Sequence, residues 1–217
     1  ERLRKRAQEA ESSDSKKEEK APTKKKSTKA TKSKQKKSKS TEPEAKRAKA
    51  EESTFSPDDF PSLTKYFGKD ASRPLVGLFF SAAWCPDCQP VLPKLAKLLE
   101  DEKETLSSLI QVVYVGSETS ADEMTTFLET SKAANVLESI PFDETSERTA
   151  LKKVLATCAQ KEMKDVGIET RTGGLPTLKL FRADTAQVVL EDAVPDLESK
   201  EVAQKWKSLL EEAASKK

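Results

Sequence analysis

The sequence contains no histidine and only three cysteines among its 217 residues. Without histidine there is no Ser-His or Cys-His catalytic pair and no imidazole ligand for a metal. Three cysteines are too few for a disulfide-stapled secreted scaffold and one short of a four-thiolate zinc site. Apolar residues are also sparse, at 35% hydrophobic against 35% charged. A globular domain carries roughly 45–50% and about 25%. No apolar run approaches the ~18–20 residues of a membrane-spanning helix. The chain opens on Glu1 rather than Met, as a piece of a longer protein would, so compartment is not read from its start.

The deficit is local. Residues 1–53 carry 19 Lys and Arg against 10 Asp and Glu, while residues 54–217 carry 20 against 27. The near-neutral total therefore joins a segment of net +9 to one of net −7. Residues 1–53 hold no aromatic residue, and Leu3 is their lone large aliphatic. Such a segment cannot bury enough apolar area to offset the entropy of ordering, so it is expected to be a disordered basic tail. Its lysine runs suit a solvated linker, a nuclear address, or weak nonspecific contact with nucleic acid or an anionic membrane. With no aromatics interleaved, base-specific recognition is not expected. Phe55, Phe60, Leu63, Tyr66 and Phe67 then arrive together. They place a domain boundary near residue 54, and the 164 residues beyond suit a single domain.

Within that domain, residues 75–81 (LVGLFFS) and 109–115 (LIQVVYV) read as strands buried on both faces. Val91, Leu92, Leu95, Leu98 and Leu99 follow the first at helical spacing. Residues 120–131 predict a helix opened by a capping box of Ser120 and Glu123. Residues 136–142 are a weaker strand candidate or a connection, and 146–165 predict one helix with Leu151, Val154, Leu155 and Cys158 on a single side. Residues 177–182 and 187–190 suggest a hairpin about Ala183–Ala186. Residues 197–214 predict a closing amphipathic helix with Trp206 in the core. Alternating strands and helices followed by a hairpin imply an α/β sandwich with a mixed central sheet flanked by helices.

The chemistry-bearing run is Trp84-Cys85-Pro86-Asp87-Cys88, directly after the first strand and at the start of a helix. Unpaired N–H groups at a helix N-terminus stabilise a thiolate. Pro86 fits the first helical position, where its missing N–H costs nothing. Cys85 is thus expected as an exposed nucleophile and Cys88, one turn deeper, as the resolving thiol. Two other readings stand beside this one: half of a zinc site, whose second half is missing, and a pair of inert buried cysteines. The placement between strand and helix favours redox chemistry.

These residues resemble the thioredoxin superfamily. A second element supports the resemblance: Gly173-Gly174-Leu175-Pro176-Thr177-Leu178 before the late strand. The resemblance implies that Pro176 is cis and faces the two thiols, and that the Leu175 backbone pairs with bound substrate. The residues alone would equally allow a trans proline opening an edge strand. Pro93 matches the proline that kinks the family's active-site helix. Trp84 is implied to pack over the pair and shape the substrate surface. Residues 77–85, 112–118 and 140–143 look most like the tryparedoxin and nucleoredoxin branch. Three departures stand out. Asp87 replaces that branch's second proline, as in a cytosolic thioredoxin-related disulfide reductase. Phe79 stands where thioredoxin keeps a buried Asp, so no carboxylate is expected there for Cys88. Residues 142–175 are longer than usual and are expected to add a helical segment beside the site. Asp87 favours the helix end but opposes ionisation of its neighbours. Cys158 is expected to be a small core residue.

The resemblance implies a thiol–disulfide oxidoreductase acting on protein or low-molecular-weight disulfides, with electrons from an unidentified donor. The dithiol would itself be the redox centre, so no cofactor is implied. An isolated CxxC suits a reducing cytosolic or nuclear setting. The rival reading is a binding module that holds partners in a redox-dependent way with little turnover.

Overall fold

In a computed structural model of the chain, the structure describes residues 55–215. The basic tail expected over residues 1–53 lies outside the described residues. Five strands form one mixed sheet in the order β3-β2-β1-β4-β5. Strands β1 (Leu75–Ser81), β2 (Ile110–Gly116) and β3 (Glu138–Ser139) run parallel. Strand β4 (Thr177–Arg182) lies beside β1 and runs antiparallel to it, and β5 (Val188–Leu190) pairs antiparallel with β4 at the edge. Every residue of β1 is buried, because both faces of the sheet are covered.

Alternation along β1 and β2 divides the core in two. Leu75, Phe79, Ile110, Val112 and Tyr114 face one layer. That layer contains α1 (Cys88–Asp101), α2 (Lys103–Leu109), α3 (Ala121–Thr130) and α6 (Val202–Ser215). Val76, Leu78, Phe80, Val113 and Val115 face the other, against α4 (Thr145–Val154) and the turns around Phe60 and Leu63. Trp206 is fully buried and donates its indole N–H to Asp196 Oδ2 at 3.1 Å. Among the described residues no helix is long and apolar enough to cross a membrane.

Several boundaries differ from the sequence expectation, each for a local reason. Leu109 ends α2 rather than opening β2. Of residues 136–142, open to either a strand or a connection, only Glu138 and Ser139 pair as a strand. At α3, Ser120 Oγ accepts from the Glu123 N–H at 3.1 Å, which is half a capping box. The Glu123 carboxylate turns instead to the Thr119 N–H and hydroxyl, at 3.0 and 2.9 Å. The last helix begins at Val202, after a short 3-10 turn over Val194–Glu198.

The largest correction is the helix expected over 146–165. It ends at Val154, and a second short helix, α5, spans Met163–Val166. Ala156 takes a left-handed conformation (φ 46°), and its carbonyl accepts from the N–H groups of Thr172 and Gly173, at 2.8 and 3.3 Å. A distant segment has taken the carbonyl that the helix needed. Cys158 therefore lies in a connection, not on a helix face.

Candidate active site

β1 delivers the chain to the site, and α1 carries it away. Between them the Cys85 N–H bonds the Ala82 carbonyl at 3.1 Å. The Cys85 carbonyl accepts from Cys88 and Gln89, at 3.1 and 3.3 Å. The Gln89 bond closes the first α-type turn, so Pro86 and Asp87 sit inside that turn although the regular helix starts at Cys88. Pro86 and Asp87 are exposed, and Asp87 makes no capping hydrogen bond from its side chain. Pro93 lies inside α1.

All three cysteines are free thiols. Cys85 is 6% exposed and Cys88 fully buried, so the expected exposed nucleophile is covered almost as well as its partner. The cover comes from the loop before β4. The Leu175–Pro176 peptide bond is cis, and the Leu175 carbonyl accepts a hydrogen bond from Cys85 Sγ at 3.7 Å. Burial, then the neighbouring Cys85 thiol, pushes the Cys88 thiol up to about 12. The Ser81 hydroxyl and the Ala82 backbone oppose that shift only in part.

Trp84 packs against the core cluster that holds both thiols. Its indole N–H donates to the Ser117 carbonyl at 2.7 Å, which fixes the ring. Lys161 Nζ lies 3.2 Å from the ring centroid, a cation–π contact. Lys161 belongs to the 155–174 segment, which thus reaches the site by a cation as well as a loop. Glu162 anchors that segment by accepting from Ser117 Oγ at 3.1 Å and pairing with Lys152 at 2.7 Å. A Cβ at Gly173 would approach the Thr157 side chain to 3.0 Å, so a side chain there would press the two segments apart unless Thr157 gave way.

One residue next to the site was not singled out by the sequence. Phe79 is fully buried and carries no charge, yet a carboxylate reaches the same region from β2. Glu118, 6% exposed, accepts from the Ala83 N–H at 3.0 Å and from the Tyr114 hydroxyl. Burial raises its carboxyl above the usual range, and those hydrogen bonds offset this in part. In the sequence it stood only as the last residue of the family-like run 112–118, with no role given to it. Cys158 is fully buried but belongs to neither apolar cluster. Its thiol is pushed up by burial first and by Glu162 second.

A family described as thioredoxin-like matches residues 74–185, more than half of the chain. The chain belongs to the thioredoxin-like family. Among curated protein sequences none matches it. Solved structures similar to this thioredoxin-like chain include tryparedoxin from Trypanosoma brucei, 23% identical with a TM-score of 0.44. That likeness covers 59% of this chain and 75% of the tryparedoxin. Tryparedoxin I from Leishmania major is 23% identical over 62% of this chain and 78% of its own, with a TM-score of 0.46. Thioredoxin from Wuchereria bancrofti is 20% identical over 64% and 82%, with a TM-score of 0.40.

Proposed function

We propose that the chain is a thiol–disulfide oxidoreductase that reduces protein or low-molecular-weight disulfides. The observation that carries this reading is the placement of Cys85 and Cys88 one turn apart at the start of α1, with the Leu175 carbonyl on Cys85 Sγ. Cys85, as thiolate, attacks a substrate sulfur, and the first substrate thiol leaves. Cys88 then attacks Cys85 Sγ, the mixed disulfide breaks, and the second thiol leaves. Two electrons pass to substrate, and the dithiol becomes a disulfide. A dithiol donor of unidentified nature restores it. Trp84, Pro86, Asp87, Leu175 and Pro176 shape the surface around this exchange. A reducing cytosolic or nuclear compartment suits the chemistry, and the tail of residues 1–53 would add weak nonspecific contact with nucleic acid.

Insulin reduction by dithiothreitol, comparing the full chain with Cys85→Ser, tests the proposal. Catalysis above background that vanishes in the variant is the expected result. The 6% exposure of Cys85 favours a second reading, a redox-dependent binding module with little turnover. Background rates from the unaltered chain would select it.

A further inference from the structure

The segment of residues 155–174 brings two cations to the rim of the dithiol. Lys161 Nζ stands 3.2 Å from the ring centroid of Trp84, the residue before Cys85. Arg171 approaches by way of the loop before β4. Its Nη1 donates to the Cys158 carbonyl at 2.9 Å. A Cβ at Gly174 would stand 3.3 Å from the same Nη1, so the guanidinium lies against bare backbone there. Gly174 immediately precedes Leu175, whose carbonyl accepts from Cys85 Sγ at 3.7 Å. Trp84 and Leu175 thus border the first sulfur, and a cation stands beside each border.

Both charges are held in place, and neither is paired. Glu162, next to Lys161, fixes the segment through other groups. Its Oε1 takes Lys152 Nζ at 2.7 Å, and its Oε2 accepts from Ser117 Oγ and the Ala159 N–H, at 3.1 and 2.9 Å. Among the described residues no carboxylate forms an ion pair with Lys161 or Arg171, whereas Lys94, Lys97, Lys152, Lys179 and Lys205 each have one. Lys161 is exposed and Arg171 half-buried, so both stay open to a ligand. Acids gather elsewhere around the motif. Asp87 is exposed in the first turn, and Asp122 and Glu123 share a shallow cleft with Ala83 and Gln89. The surface therefore carries positive charge toward the 155–174 segment and negative charge toward α3.

We propose that Lys161 and Arg171 set the substrate preference, favouring disulfides with carboxylates beside the reacting sulfur. This rests on the dithiol reading above and narrows its substrate class. Acidic side chains of a polypeptide and the carboxylates of a small disulfide offer the same chemistry. The carboxylates pair with the Lys161 ammonium and the unpaired edge of the Arg171 guanidinium, which brings the substrate sulfur to Cys85. The exchange itself is unchanged. Cys85 and Cys88 close a disulfide, and the substrate disulfide takes two electrons and two protons and opens to two thiols. The two cations act on binding, so their effect falls on KM more than on kcat, and salt screens it.

The test mixes the pre-reduced full chain with disulfides paired by charge. One pair is a cyclic peptide disulfide flanked by Asp and its twin flanked by Lys. The other pair is dithiodipropionate and cystamine. Acid quenching and chromatography of the released thiols give each second-order rate constant. Each is divided by the rate of the same disulfide with dithiothreitol, which removes intrinsic reactivity. At low salt the anionic member should react about tenfold faster, and ~1 M salt should bring the ratio close to one. Lys161→Gln and Arg171→Gln should each cut the ratio about threefold. Lys161→Glu should cut it further, and Lys161→Arg should restore it. A ratio compares two substrates on one chain, so general damage to the site cancels. If the Arg171 variant does not fold, the Lys161 series decides. Preference within the peptide pair alone assigns the carboxylates to polypeptides, and within the small pair alone to small disulfides. A ratio near one at low salt would overturn the inference. So would a ratio that survives every substitution, because the preference would then come from other cations, those of residues 1–53 included. Neither result touches the dithiol reading, which fails instead if no substrate releases thiol.

Discussion

Cys85 and Cys88 sit three residues apart, yet burial holds their sulfurs in different surroundings. Cys88 is fully enclosed, and its thiol is pushed up to about 12. It is therefore a thiol at neutral pH and needs a proton acceptor at the moment of attack. Replacing Cys88 by Ser should leave attack by Cys85 intact and trap the mixed disulfide. Mass spectrometry after substrate mixing would show a stable adduct, and an adduct that cleared as fast as with Cys88 present would exclude its resolving role. Cys158 makes a contrasting prediction. Enclosed, and with its thiol raised by burial, it should resist iodoacetamide in the folded chain and react once denatured. Peptide mapping of the alkylated sites reads this directly. At this scale the sequence was informative about the sulfurs themselves, because spacing and the following proline are local features. It showed Glu118 only as the end of a family-like run, because its setting depends on the fold-back allowed by Gly116 and on the Ala83 N–H, far away in sequence.

Secondary-structure elements show the same division between local and distant causes. β1 was legible to the residue, because a seven-residue apolar run buried on both faces has one reading. The break after α4 was not legible, because no glycine or proline marks it. Ala156 adopts a positive φ, and Thr172 and Gly173 capture its carbonyl from sixteen or more residues away. A non-glycine residue in that conformation costs about 1–2 kcal/mol. Ala156→Gly should therefore stabilise the domain by ~0.5 kcal/mol, after the larger entropy of glycine in the unfolded chain is offset. Gly167 ends α5 at φ 75°, so Gly167→Ala should destabilise by about 1 kcal/mol. Urea titrations of both variants give the two signs, and the same sign for both would refute the backbone account.

For the whole molecule, the buried acid beside the dithiol links stability to pH. In the unfolded chain Glu118 titrates in the ordinary carboxylate range; in the fold its value is raised by burial. The fold thus favours the protonated form. The stability it contributes is complete below the ordinary value and is lost as pH rises through the raised one. Glu118→Gln should accordingly be more stable than the unaltered chain at neutral pH, with the gap closing toward acid. Thermal midpoints at several pH values would measure the gap, and a constant difference would count against a titrating carboxylate at this position. A residue retained at a cost in stability is common where chemistry requires it.

The two tryptophans stand in opposite settings, and this gives the protein an internal optical gauge. Trp206 is sealed in the core with its indole N–H on Asp196, whereas half-buried Trp84 lies beside the thiols under the Lys161 ammonium. Emission from Trp84 should therefore change in intensity when the neighbouring sulfurs join or part, while light from Trp206 stays constant as a reference. A Trp84→Phe variant would lose the signal and keep the baseline, so that electron flow through this chain could be followed in real time with no label attached.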